Sequence, residues 1–360
     1  MALSRTLANF GDSLGGTASN VTVTFSDSTQ FNTANSLGMR NRLINGAMDF
    51  WQRGTSFSNP TSTTTYTADR WSCYRSSYTT NMSISQVTGL TIGTGINRNA
   101  LRIQRTASDT NTTGLFATQS IESINSKDLA GQNVTISFWA RVGANFSATQ
   151  LGVSVVSGTG TDEFLRGAYT GFNAFINTSV TLTTSFQRFS FTGTVPATAN
   201  ELSVSLGYTP TGTAGAADYF DITDVQLELG TVATPFERRP YGMELALCQR
   251  YYVKGYFLNG IYGGTAVQGL IQTPVPMRTT PTTTIGGAGF LQITDTVNAG
   301  ITQSVSGWGI TSTATQNATG NYQFFLAAWG NFSGLTNYRY YYQSEYSGDV
   351  DAPAIMSAEL

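Results

Sequence analysis

The stretch Val134-Thr135-Ile136-Ser137-Phe138-Trp139-Ala140-Arg141-Val142 alternates between two faces with a period of two. Val134, Ile136, Phe138 and Ala140 share one face, and Thr135, Ser137, Trp139 and Arg141 share the other. This is the pattern of a half-buried strand, because successive side chains leave a pleated backbone on opposite sides. Leu151, Val153 and Val155 repeat it, as do Phe189 with Phe191, and then Leu202, Val204, Leu206 and Tyr208. Turn clusters such as Ser157-Gly158-Thr159-Gly160 and Thr209-Pro210-Thr211-Gly212 separate these segments. Many short strands, regular turns and little helical period predict an all-β chain with a two-sheet antiparallel sandwich from Arg42 to about Pro240.

One strand changes phase. In Tyr219-Phe220-Asp221-Ile222-Thr223-Asp224-Val225-Gln226-Leu227-Glu228-Leu229, Phe220 and Ile222 have one parity, while Val225, Leu227 and Leu229 have the other. A β-bulge at Thr223-Asp224 would keep both sets on the core side, since one extra residue restores the facing.

Outside the sandwich, residues 1–40 are rich in Gly, Ser, Thr and Asn, with only Val21, Val23 and Phe25 strand-like. Such an arm cannot bury a core alone and is expected to order against a partner. Met243 to Tyr252 is the best helix candidate, with Leu245, Cys248 and Tyr252 on one stripe. Strands are expected after it at about 266–274, 290–294, 322–329 and 338–346. The division is therefore an arm at 1–40, a sandwich at 41–240 and a short helix leading a second small β domain at 241–360.

Composition narrows the chemistry. The 21 Phe, 17 Tyr and 5 Trp outnumber the 19 basic and 21 acidic residues together, and charged residues make up 11%, against ~25% in an ordinary soluble domain. With no histidine, Ser-His-Asp and Cys-His nucleophiles and histidine-ligated metals are excluded. Two cysteines, Cys73 and Cys248, are too few for thiolate zinc or iron-sulfur sites and are read as buried free thiols. A net charge of -2 without a basic run argues against nucleic acid, and no apolar run reaches the ~18 residues of a membrane span.

Several strings carry a resemblance. Asn41-Arg42-Leu43-Ile44-Asn45-Gly46-Ala47-Met48-Asp49-Phe50-Trp51-Gln52-Arg53-Gly54, with Ala68-Asp69-Arg70-Trp71, resembles the opening of a jelly-roll module of bacteriophage tail fibres and other virion proteins. Asp224-Val225-Gln226-Leu227-Glu228-Leu229-Gly230 through Ala233-Thr234-Pro235-Phe236-Glu237-Arg238-Arg239 resembles its close. The layout is also similar to carbohydrate-binding modules. Glu244-Leu245-Ala246-Leu247-Cys248-Gln249-Arg250-Tyr251-Tyr252, Pro276-Met277-Arg278 and Ser357-Ala358-Glu359-Leu360 resemble the tail halves of the same phage proteins.

The resemblance implies a jelly roll, a non-enzymatic role and a virion location, with synthesis in the host cytoplasm. The implied partners are two further copies in a homotrimer, other tail or baseplate proteins held by the arm, and host surface polysaccharide. The other reading is a capsid decoration or tail adaptor that binds only virion proteins. Modules of this kind can hold a structural Ca²⁺, here at Asp49 with Asp221 or Asp224, where the alternative is that these aspartates satisfy turn and bulge amides. No other cofactor is expected. Carboxylates that could form a hydrolytic pair are Asp162-Glu163, Asp218-Asp221 and Asp295, none of which stands out among 21 acids. Sugar rings stack on Trp and Tyr, which makes Trp308, Trp329, Tyr338, Tyr340, Tyr341 and Trp139 the candidate contacts. Trp139 lies on the polar face, where lining a groove, packing beneath a loop and a subunit contact are the open choices.

Overall fold

The computed structural model describes residues 39–58, 65–76, 81–93, 95–165 and 169–255, with the shorter segments 22–24, 30–32, 259–262, 267–285, 291–295, 302–304, 308–316, 322–329, 335, 340–345 and 354–359. The chain divides into two compact units, Met1–Arg239 and Pro240–Glu359.

In the first unit, β1 (Thr22–Thr24) and β2 (Gln30–Asn32) form a short hairpin in the region read as an arm, with Val23 opposite Phe31. Val21 and Phe25 lie outside the described residues. Strands β3 (Ser56–Ser58), β4 (Thr65–Tyr66), β5 (Ser72–Arg75), β6 (Met82–Ile92), β7 (Gly95–Arg105) and β8 (Leu115–Ile121) follow. Then come β9 (Asn133–Val142), β10 (Leu151–Gly158), β11 (Asn173–Val180), β12 (Gln187–Thr194), β13 (Glu201–Tyr208) and β14 (Tyr219–Leu229).

They build two six-stranded antiparallel sheets, ordered β11-β10-β13-β8-β5-β4 and β12-β9-β14-β7-β6-β3. The chain crosses between the sheets at β3 to β4, β5 to β6, β7 to β8, β8 to β9, β9 to β10, β11 to β12, β12 to β13 and β13 to β14, which makes the sandwich a jelly roll. The alternation read in the sequence points inward as expected: Ile136, Phe138, Val153, Val204 and Leu227 are buried in one core with Trp71 and Phe220. Phe189 and Phe191, on the same inward alternation, pack against this core and are partly buried. They sit on β12, the edge strand of its sheet, which has a neighbour on one side only.

The phase change in β14 is a bulge. Thr223 faces Trp139, Gln226 faces Ser137, and the register shifts between them. Asp224 takes the left-handed conformation there (φ 47°), and Ile222 and Val225 both reach the core.

The strings that carry the resemblance close the sandwich. Asn41 Nδ2 donates to Val225 O at 3.1 Å while its Oδ1 accepts from the amides of Leu43 and Leu227. Asn45, left-handed at φ 55°, donates from Nδ2 to Phe50 O and Asp69 O and accepts the amides of Asp49 and Phe50. Gly46 is required by close approach, since a Cβ there would stand 2.1 Å from Val225 O. Arg239 donates to the carbonyls of Leu43 and Asn41, and Glu237 accepts the Asn41 amide at 2.8 Å.

The second unit begins with α1 (Tyr241–Gln249), two residues earlier than the sequence suggests, because Pro240 supplies the fixed φ that opens it. It ends before Tyr252, which starts β15 (Tyr252–Gly255). The remaining strands are β16 (Asn259–Tyr262), β17 (Val267–Met277), β18 (Thr282–Ile285), β19 (Leu291–Asp295), β20 (Thr302–Ser304), β21 (Trp308–Gln316), β22 (Tyr322–Trp329), β23 (Tyr340–Glu345) and β24 (Ala354–Ser357). They form a three-stranded sheet, β15-β24-β18, and a seven-stranded one, β20-β19-β23-β16-β17-β22-β21.

Candidate functional site

The outer face of the β12-β9-β14-β7-β6-β3 sheet gathers most of the charged chemistry of the sandwich. Its rows follow from register: Arg188, Trp139 and Thr223 lie side by side on β12, β9 and β14, and Arg141, Asp221 and Arg102 form the adjacent row on β9, β14 and β7. Asp221 is fully buried. It accepts from Arg102 Nε and Nη2 at 2.7 and 2.9 Å and from Arg141 Nε at 2.8 Å. Arg102 lies 3.6 Å above the Tyr219 ring and Arg141 4.6 Å above that of Phe186, so both guanidiniums are sandwiched between a carboxylate and an aromatic plane. Burial works against the charge on Arg102, and Asp221 more than offsets it, holding the guanidinium pKa above its ordinary value.

Beside this row, the bulge creates a second cluster. Arg98 Nη1 stands 3.7 Å from Asp224 Oδ1, outside hydrogen-bond distance, and neither atom has a hydrogen-bond partner although both are buried. Burial pushes the Asp224 carboxyl up against the opposing pull of Arg98 and Arg238. Asp49 accepts from Asn99 Nδ2 at 2.8 Å and from Arg238 Nη1 at 2.9 Å. Arg188 donates to Thr234 O and Ser137 Oγ.

Part of the face is covered. Residues 230–239 fold back over it, with the Thr234 amide and hydroxyl on Glu228 and the Glu237 amide on Gln226, and Thr135 and Ser137 are buried beneath. At the β6–β7 turn, a Cβ on Gly93 would stand 3.2 Å from the Trp139 ring. Trp139 is therefore half-buried beneath a hairpin tip, the loop-packed choice among those left open by the sequence. Arg102, Arg141, Tyr219 and Phe186 remain partly open.

The three aspartates read as a Ca²⁺ site do not suit one. Asp221 turns to Arg102 and Arg141, Asp49 to Arg238, and Asp224 faces Arg98, so each meets a cation where Ca²⁺ would need six to eight oxygens. Among the described residues, no group of three or more Cys, Asp or Glu side chains is placed to hold a metal.

Of the C-terminal aromatics, Tyr338 lies outside the described residues, and the other four are placed by backbone register alone. Trp308 pairs with Trp329 across β21 and β22, Tyr340 with Ile261, and Tyr341 with Gly260 and Asp295.

Among the carboxylates, Asp218 binds Arg105, and Asp221 is held as above. Glu163 meets a residue the sequence reading passed over. The Glu163 amide donates to Glu201 Oε2 at 2.7 Å, and Glu201 is fully buried with Oε1 unpartnered. Burial, with Glu163 and Asp162 nearby, pushes the Glu201 carboxyl up to about 7. A group so enclosed cannot touch a polysaccharide. Arg98, Arg102 and Tyr219 were also missed. Their signal was present, since Arg98 and Arg102 share the parity opposite Leu101 and Ile103.

No protein-family model matches the chain, and no curated protein does. Among solved structures it is similar to a CBM4 module over 52% of this chain and 98% of that one, at 19% identity and a TM-score of 0.32. A CBM61 module in complex with β-1,4-galactotriose matches over 53% of this chain and 99% of that one, at 12% identity and a TM-score of 0.30. The enzymatically active domain of tailspike protein 4 of bacteriophage CBA120 matches over 53% of this chain but 22% of that one, at 14% identity and a TM-score of 0.32. At this level of likeness no ligand, partner or activity carries across to the present chain.

Proposed function

We propose that the chain is a non-catalytic polysaccharide-binding protein of a phage virion, a homotrimeric tail fibre that adsorbs the particle to its host. The observation that carries the binding is the open part of the sandwich face, where the half-buried rings of Tyr219 and Phe186 stand beside the partly open arginines Arg102 and Arg141. Sugars ask for this mixture, an apolar plane for the ring and charged or amide groups for the hydroxyls. The absence of histidine from the sequence, the arginine partners of Asp218 and Asp221, and the enclosure of Glu201 support binding without cleavage.

The virion assignment rests on the strings at both ends of the sandwich. In it, residues 1–40 hold the tail or baseplate, and the C-terminal aromatics Trp308, Trp329, Tyr338, Tyr340 and Tyr341 serve the trimer and a second sugar contact. Sites of this kind are weak singly, and repetition in a trimer raises their effective concentration. The test is binding of the purified full chain to host-surface polysaccharide, with competition against particle adsorption and an assay for reducing ends. Retained polysaccharide, blocked adsorption and no new reducing ends are expected. Absence of binding would favour a virion component that contacts only virion proteins, and released sugar would overturn the non-catalytic reading.

A further inference from the structure

We infer that the polysaccharide taken by this face is acidic: its anionic groups dock on Arg141 and Arg188, beside Arg102. This rests on the binding function proposed above and specifies its ligand class.

The first argument is charge. The face and its rim carry five arginines, at positions 98, 102, 141, 188 and 238, against four carboxylates, Asp49, Asp221, Asp224 and Glu228. The surplus is positive in a chain whose net charge is -2 and which has only 19 basic residues in all. A local excess of this sign attracts anions and repels cationic partners.

The second argument is donor geometry. Asp221 engages Arg102 through Nε and Nη2, and Tyr219 engages it as well, whereas Asp221 engages Arg141 through Nε alone, so both Nη groups of Arg141 are left for a ligand. One carboxylate is shared by two guanidiniums, which leaves one positive charge uncompensated in that row. The rings of Tyr219 and Phe186 hold the guanidinium planes in place, so little side-chain freedom is lost when an anion arrives. Planar forks of this kind suit carboxylate, and they also accept sulfate.

The third argument is the company the arginines keep. An anion-binding guanidinium beside an aromatic plane suits a repeat that carries its anionic group next to an apolar ring face, as a polyuronate or a sulfated glycan does.

The experiment uses the full chain and three soluble probes: polygalacturonate, dextran sulfate and uncharged dextran, each titrated at low salt and at 0.5 M NaCl on the order of a Debye length of 4 Å. Binding at least about tenfold tighter to the acidic probes than to dextran, weakened by salt, is expected. The stronger of the two acidic probes identifies the anion. Arg141→Ala and Arg188→Ala should each reduce affinity about tenfold, with the far-ultraviolet circular dichroism unchanged. Arg141→Lys, which keeps the charge but not the fork, should fall between wild type and alanine. Equal affinity for dextran and the acidic probes would overturn the acidic class while leaving polysaccharide binding intact. Acidic binding that survives Arg141→Ala and Arg188→Ala within twofold would overturn this site. Failure to bind host polysaccharide and all three probes would remove the binding function itself.

Discussion

Strand β13 runs between two buried carboxylates that the sandwich treats in opposite ways. At its far end the Tyr208 hydroxyl donates to Asp218 at 3.2 Å, and Asp218 also accepts from Arg105 Nη1 at 2.8 Å and the Ser147 amide at 3.0 Å. Arg105 in turn donates to the carbonyls of Asp109, Asn111 and Gly212, and Arg75 pairs with Asp109 at 2.7 Å. At the near end Glu201 has one amide on Oε2, nothing on Oε1, and the Glu163 carboxylate for a neighbour. Both are fully shielded from water. At one end a buried carboxylate is met by a guanidinium, an amide and a hydroxyl from separate segments, which it ties together. At the other no cation arrives, and a proton takes its place.

That contrast breaks most visibly at Asp218. Asp218→Ala leaves Arg105 buried without its closest carboxylate and should cost ~3–5 kcal/mol, read as a lower midpoint in urea unfolding followed by tryptophan fluorescence. A loss under ~1 kcal/mol would mean that Asp109 alone satisfies Arg105.

Glu201 should behave in the reverse sense. Its folded pKa of about 7 lies above the ordinary 4.5, so the folded state keeps a proton that the unfolded chain releases. The resulting stability is complete below about pH 4.5 and is lost as pH rises through 7, by roughly 3 kcal/mol at most. Glu201→Gln should flatten that slope, matching wild type near pH 5 and exceeding it near pH 8 in thermal melts. A slope unchanged in the variant would place the titration elsewhere.

Two smaller changes sharpen the comparison. Tyr208→Phe removes one donor from Asp218 and should cost about 1 kcal/mol. Asp128→Ala breaks the pair with Arg42 at 2.7 Å, where Asp128 is 55% exposed, and should cost less than ~1 kcal/mol, vanishing in high salt.

Much of the sandwich was legible in the sequence because period-two alternation is local, and even the bulge showed as a phase change between Ile222 and Val225. The face was harder to read. Trp139 and Arg141 announced themselves by parity, but the row Arg141–Asp221–Arg102 joins three strands that are distant in the chain. Only sheet order makes them neighbours. Glu201 was illegible for another reason: it lies on the outer parity of β13 with Ser203, and it is buried because the stretch containing Glu163 and Tyr169 packs on that side, with the Tyr169 hydroxyl against Leu202 O and Ser203 Oγ. The aspartates named for Ca²⁺ failed in the same way, since the arginines that meet them come from β7, β9 and the segment after β14.

The clasp between Asn41 and Arg239 has a mechanical consequence. The chain enters and leaves the sandwich at one point, with Arg239 on the carbonyls of Asn41 and Leu43 and Glu237 on the Asn41 amide. A pull applied between residues 40 and 240 therefore loads those few bonds first and in sequence, like a zip, while the ladders of the two sheets stay out of the line of tension. The sandwich hangs beside the load path as a pendant, and the chain should lengthen at low force by opening the clasp before any strand of the core is drawn out.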